Sequence, residues 1–62
     1  MKLYDVVELA VDVPADGLVA GAVGTIVDEY AGTDSYEVEF TDDDGTTIAL
    51  TALRADQLRA KA

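Results

Sequence analysis

The run Gly21-Ala22-Val23-Gly24-Thr25-Ile26-Val27 limits what this chain can fold into more than any other stretch. Thr25, Ile26 and Val27 are β-branched, stiff at χ1 and suited to a pleated, half-buried surface, so the run reads as a strand at the centre of a sheet. Gly21 and Gly24 lack a Cβ, so the backbone there can bend, bulge or let a neighbouring strand close in. They are read as structural glycines that help a small barrel to close. A phosphate cradle is excluded, because no Lys or Ser/Thr follows at the required spacing and no helical pattern follows the glycines.

The rest of the chain supplies partners for that strand. From Asp5 to Val11, Val7, Leu9 and Val11 alternate with Val6, Glu8 and Ala10, a period of two that predicts a first strand with one buried face. Asp12 to Ala20 carries Pro14 and Gly17 without a clean period, which predicts a loop anchored by Leu18. The glycine-mouthed strand runs from about Ala22 to Tyr30. Ser35 to Thr41 then sets Tyr36, Val38 and Phe40 against Glu37, Glu39 and Thr41, the strictest alternation present. Asp42-Asp43-Asp44-Gly45 is a hairpin connection, with Gly45 supplying the left-handed residue. Thr46 to Thr51 predicts a fourth strand with Ile48 and Leu50 inward. A 3-10 turn near Ala55-Asp56-Gln57 leads to a last short strand around Leu58. A helix over Thr51 to Ala62 is the competing reading, since Ala, Leu, Gln, Arg and Lys are good helix formers.

This order predicts an all-β, five-stranded SH3-like barrel over residues 1–62, with 60–62 frayed. An OB-fold usually places a longer helix between its third and fourth strands, where this chain has only four turn residues. The expected core is Val7, Leu9, Leu18, Val23, Ile26, Val38, Phe40, Ile48, Leu50, Leu53 and Leu58. Sixty-two residues leave too little interior for a second core or a walled substrate cleft.

Nine Asp and four Glu oppose two Lys and two Arg, a formal charge of −9. Binding to nucleic acid is excluded on that balance, because such affinity comes largely from cations neutralising phosphates. Anionic membranes are disfavoured for the same reason. There is no Cys, His or Trp. Thiolate metal sites, disulfides and Cys-His or Ser-His nucleophiles are therefore absent. Met1-Lys2-Leu3 opens directly into a strand pattern without a signal-like segment, so the expected address is the cytoplasm.

Several motifs together, Tyr4-Asp5-Val6-Val7, Gly17-Leu18, Gly21-x-Val23-Gly24-Thr25-Ile26-Val27, Tyr36-Glu37-Val38-Glu39-Phe40, Asp44-Gly45 and Asp56-Gln57-Leu58, resemble the bacterial domain-of-unknown-function family numbered 4926. These are small stand-alone proteins, and the resemblance spans essentially the whole chain. It implies an SH3-like barrel without an established activity. From the gene neighbourhoods of its members, it also implies pairing with another small protein in the manner of an antitoxin or immunity partner. More distantly, the Gly-x-Val-Gly-Thr-Ile-Val signature is similar to barrels of the photosystem I acceptor-side subunit and the nitrile hydratase β subunit. The photosystem subunit docks acidic ferredoxin through basic residues, of which this chain has only four.

Three carboxylates at Asp42-Asp43-Asp44 invite a metal reading, but a calcium loop built on Gly45 would put Phe40 first and Thr51 last, neither of which serves as its carboxylate ligand. A solvated turn is expected, and no metal or cofactor. No catalytic residue is assigned, because the carboxylates point into water, where a large pKa shift is not available. A peptide groove would need Tyr4, Tyr30 and the Pro14 loop to converge, and core filling and edge capping are the simpler uses of the tyrosines. The candidate partner-binding residues are Asp28, Glu29, Glu37, Glu39, Asp42, Asp43 and Asp44, an acidic face for a basic protein partner. The alternative is an accessory or assembly subunit that docks through apolar edges and loops at Val13, Pro14, Leu18 and Val19.

Overall fold

The computed structural model describes residues 1–61 and holds five strands: β1 Val6–Leu9, β2 Val23–Glu29, β3 Ser35–Thr41, β4 Thr47–Arg54 and β5 Leu58–Ala60. All pair antiparallel in one sheet of order β4-β3-β2-β1-β5, with the glycine-mouthed strand at its centre. A 3-10 turn over Ala55–Gln57 carries the chain from one edge strand to the other. The protein is thus an all-β, five-stranded SH3-like barrel with a one-turn 3-10 segment before its last strand. The competing helix over Thr51 to Ala62 does not form among the described residues, where 51–54 and 58–60 are strand. Of the tail expected to fray, Ala60 closes β5 and the Lys61 N–H donates to the Val6 carbonyl at 3.2 Å, while residue 62 lies outside the described residues.

Val7, Leu9, Leu18, Ile26, Val38, Phe40, Leu53 and Leu58 are buried in one cluster. Burying each such side chain stabilises by about 1.5–3 kcal/mol relative to leaving it in water, so these eight dominate the favourable side of folding. Three residues expected with them are not there: Val23 is 44 % exposed, Ile48 57 % and Leu50 58 %. The reason in each case is strand phase. In β2, Gly24 and Ile26 take the inward positions, which puts Val23, paired with Glu8, on the outer face. β4 does not stop at Thr51 but continues to Arg54, so Leu53 sets the phase and Ala49 and Thr51 point inward while Leu50 points out. The register also shifts between Phe40↔Ala49 and Thr41↔Thr47, leaving Ile48 as the extra residue of a bulge.

β1 is shorter than its alternation predicts. The chain bends at Ala10, whose N–H goes to the Gln57 carbonyl at 2.9 Å, and Val11 is exposed. In the following loop Pro14–Asp16 makes a 3-10 turn with Pro14 at its first position and left-handed Gly17 as its cap, a pairing of start and stop signals. Val13 and Leu18 exchange backbone hydrogen bonds of 2.9 and 3.1 Å across it, and Leu18 is buried as expected.

The two glycines of the opening motif do different things. Gly21 sits at φ +92° and its N–H donates to the Leu9 carbonyl at 2.8 Å, which turns the loop into β2. Gly24 is a close-approach residue: a Cβ there would stand 2.8 Å from Val38 Cγ1 and 2.9 Å from both the Glu39 carbonyl oxygen and Phe40 Cδ1.

Candidate functional site

The β2–β3 hairpin carries the acidic residues, and a bulge decides which of them share a face. Register runs Thr25↔Glu39 and Ile26↔Val38, then shifts to Asp28↔Glu37 and Glu29↔Tyr36, with Val27 as the extra residue. Strict alternation from inward Ile26 would have sent Asp28 inward; the bulge sends it outward, opposite Glu37. Asp28, Glu37 and Glu39 thus occupy one face. Glu29, expected on the same stripe, is paired with half-buried Tyr36 and belongs to the other face.

Like charges directly opposite, about 5 Å apart, destabilise a sheet. Here they are held by hydrogen bonds and not by cations. Tyr30 Oη donates to Glu37 Oε2 at 2.8 Å, Thr47 Oγ1 donates to Glu39 Oε2 at 2.5 Å, and Asp28 Oδ1 accepts the Glu29 N–H at 2.8 Å. Among the described residues the ion pairs are Arg54–Asp56 at 3.1 Å and Arg59–Glu8 at 2.7 Å, neither on this face. The bond to Glu37 is the main reason the Tyr30 phenol is held above its usual range, since losing the proton would set two anions side by side. Slight desolvation of the exposed hydroxyl and the charges of Glu37 and Asp28 push the same way.

At the far end of β3, Asp42 is a turn builder. Its Oδ1 accepts the N–H groups of Asp44 and Thr46, both at 2.9 Å, and its carbonyl accepts the Gly45 N–H at 3.0 Å. Gly45 has φ +81°, the left-handed value the turn requires. Asp43 and Asp44 are exposed. The turn begins three residues past Glu39, about 10 Å at strand rise, so the seven expected acids divide into Asp28, Glu37 and Glu39 on one face, Asp42 to Asp44 at the turn, and Glu29 on the other face. Among the described residues no three carboxylates converge as a metal site would need, and no pocket opens.

Two of the four side chains of the alternative apolar surface are committed elsewhere, Leu18 to the core and Val13 against it, while Pro14 and Val19 are exposed. The exposed apolar surface that sequence reasoning missed is Ile48 and Leu50 on β4. The available signal was Leu53, whose burial is incompatible with theirs in a continuous strand. Tyr4, weighed as a core or edge residue against a groove, does not fill the core: at φ +68° it is the one non-glycine in the left-handed region among the described residues, 74 % exposed, with its N–H donating to the Ile26 carbonyl at 2.7 Å.

Among the described residues no helix is long and apolar enough to cross a membrane. No curated protein and no solved structure matches the chain. The model of one family, a domain of unknown function designated DUF4926, matches residues 3–60, nearly the whole chain, and the protein belongs to that family.

Proposed function

We propose that this chain is a non-catalytic acidic module of the bacterial cytoplasm that binds a basic protein, as the neutralising member of a two-gene pair. The observation that carries this reading is the outer face of the β2–β3 hairpin, where Asp28, Glu37 and Glu39 lie together without a cation within 4.0 Å among the described residues. A basic partner relieves the repulsion between Asp28 and Glu37 that the fold by itself tolerates. Such complementarity acts mainly on association rate and orientation. The test is affinity for the partner across ionic strength, with the double variant Glu37→Lys/Glu39→Lys beside the wild type. Binding should weaken steeply with salt, because charges on this face are screened over about 8 Å at physiological strength, and the variant should lose capture. Salt-independent binding by both proteins would rule the acidic face out.

A further inference from the structure

The sheet has two edges, and the chain treats them oppositely. β5 is three residues long, carries Arg59 and is followed by Lys61, so it is short and charged, as exposed edges usually are. β4 is eight residues long, the longest strand, and among the described residues nothing pairs with its outer side. From Thr46 to Leu53 the sequence reads Thr-Thr-Ile-Ala-Leu-Thr-Ala-Leu, without a charge, Pro or Gly. A bulge at Ile48 interrupts only its first turn of ladder, so Ala49 to Leu53 run as regular strand against β3. An edge left this open is a template for another strand, since alternate N–H and C=O groups point away from the sheet.

The residues around it describe the strand that fits. On the outer face Leu50 is paired with Glu39 and Ala52 with Glu37, and Ile48 and Leu50 are more than half exposed. An added strand would lie two strand spacings, about 10 Å, from the glutamate row. Ala52 is small enough for a Lys or Arg stem to cross it toward Glu37, with apolar neighbours packing on Ile48 and Leu50. A second copy is a poor occupant, because each chain carries −9, its own glutamate row would lie three strand spacings or about 14 Å away, and its β4 has no cation between Thr47 and Leu53 to answer Glu37 and Glu39.

We propose that the free edge of β4 takes up an extended segment of a basic partner as a sixth strand, with cationic and aliphatic residues on the face it shares with Glu37 and Glu39. This rests on the acidic-module reading and specifies how the partner is held: main-chain hydrogen bonds bind, and the alternating side chains select.

The probes are two synthetic peptides of equal composition, the alternating acetyl-Lys-Val-Lys-Val-Lys-Val-Lys-amide and the blocked acetyl-Lys-Lys-Lys-Lys-Val-Val-Val-amide, titrated into the isotope-labelled full chain. The alternating peptide should slow hydrogen exchange at β4 amides between Ala49 and Leu53 and bind better than the blocked one. Ile48→Thr/Leu50→Thr, which keeps a β-branched strand while removing aliphatic surface, should weaken it about tenfold. Glu37→Gln/Glu39→Gln should weaken it and flatten its salt dependence. If both peptides bind equally and shift only the hairpin carboxylates, with β4 exchange unchanged, the edge inference is overturned and the acidic-face reading stands. If neither peptide binds at low salt, both fall. A dimer of the wild type that the Ile48→Thr/Leu50→Thr variant abolishes would identify the occupant as a second copy and overturn the basic-strand assignment.

Discussion

At the residue scale, Gly24 and Tyr30 show how single side chains set what the hairpin can be. Gly24 permits Val38, Glu39 and Phe40 to pass so closely that any Cβ must displace backbone or core. Gly24→Val should therefore cost about 3 kcal/mol or more, the larger part of what so small a core supplies, and chemical denaturation should find it mostly unfolded. Binding would be lost only as a consequence. Tyr30 reports on the acidic face directly. With Tyr4→Phe and Tyr36→Phe in place, the absorbance change at 295 nm should show Tyr30 ionising above its ordinary value of about 10, and Glu37→Ala should bring it down. The sign follows from the raised value: the fold favours the protonated phenol, so its contribution to stability is present below about pH 10 and lost as pH rises through the folded value. A midpoint unchanged by Glu37→Ala would mean that the hydrogen bond does not hold in solution.

At the scale of elements, the long β1–β2 loop behaves as part of the core. Leu18 is buried although it lies between a 3-10 turn and a glycine, and its backbone bonds to Val13 close the loop on itself. Leu18→Ala should destabilise by about 2–5 kcal/mol, read from the urea midpoint, with an unchanged dependence on denaturant if the barrel otherwise persists. A loss below about 0.5 kcal/mol, the level of ordinary surface substitutions, would show that the loop is not anchored. The bulges matter at this same scale. One at Val27 brings Asp28 beside Glu37, and another at Ile48 shifts the register at the start of β4, N-terminal to its regular run.

For the whole molecule, charge and size act against each other. Thirteen acids on 62 residues repel, and the two ion pairs among the described residues are exposed or partly so and worth about 1 kcal/mol or less each. The free protein should gain thermal stability as sodium chloride rises from low concentration, whereas complex formation should weaken over the same range. Thermal melts and titrations in matched buffers check both. Melting that is indifferent to salt would mean that self-repulsion is too weak to matter.

Much of this was legible in local pattern. All five strands were located: β1 and β3 by alternation, β2 by its β-branched run, β4 by its β-forming residues after the turn and β5 by the 3-10 turn before it. β3 is correct at both ends, because a half-buried strand must repeat every two residues and Tyr36 to Phe40 do so without interruption. Glycine and proline located most of the turns, glycine because few other residues reach a positive φ and proline because it fixes φ and lacks a donor. What the sequence by itself determined is therefore the class of fold, the order of its elements, most of the core and the sign of its surface. Tertiary structure decided phase through pairing, strand length and bulges: Val23, Ile48 and Leu50 face outward, and the bulge at Val27 keeps Asp28 on the acidic face while Glu29 falls on the other. Periodicity specifies that faces alternate, but only pairing with a neighbour fixes which face is which, and one extra residue reverses the answer for everything beyond it. The make-up of the acidic face and the aliphatic surface beside the open edge both arise from that choice.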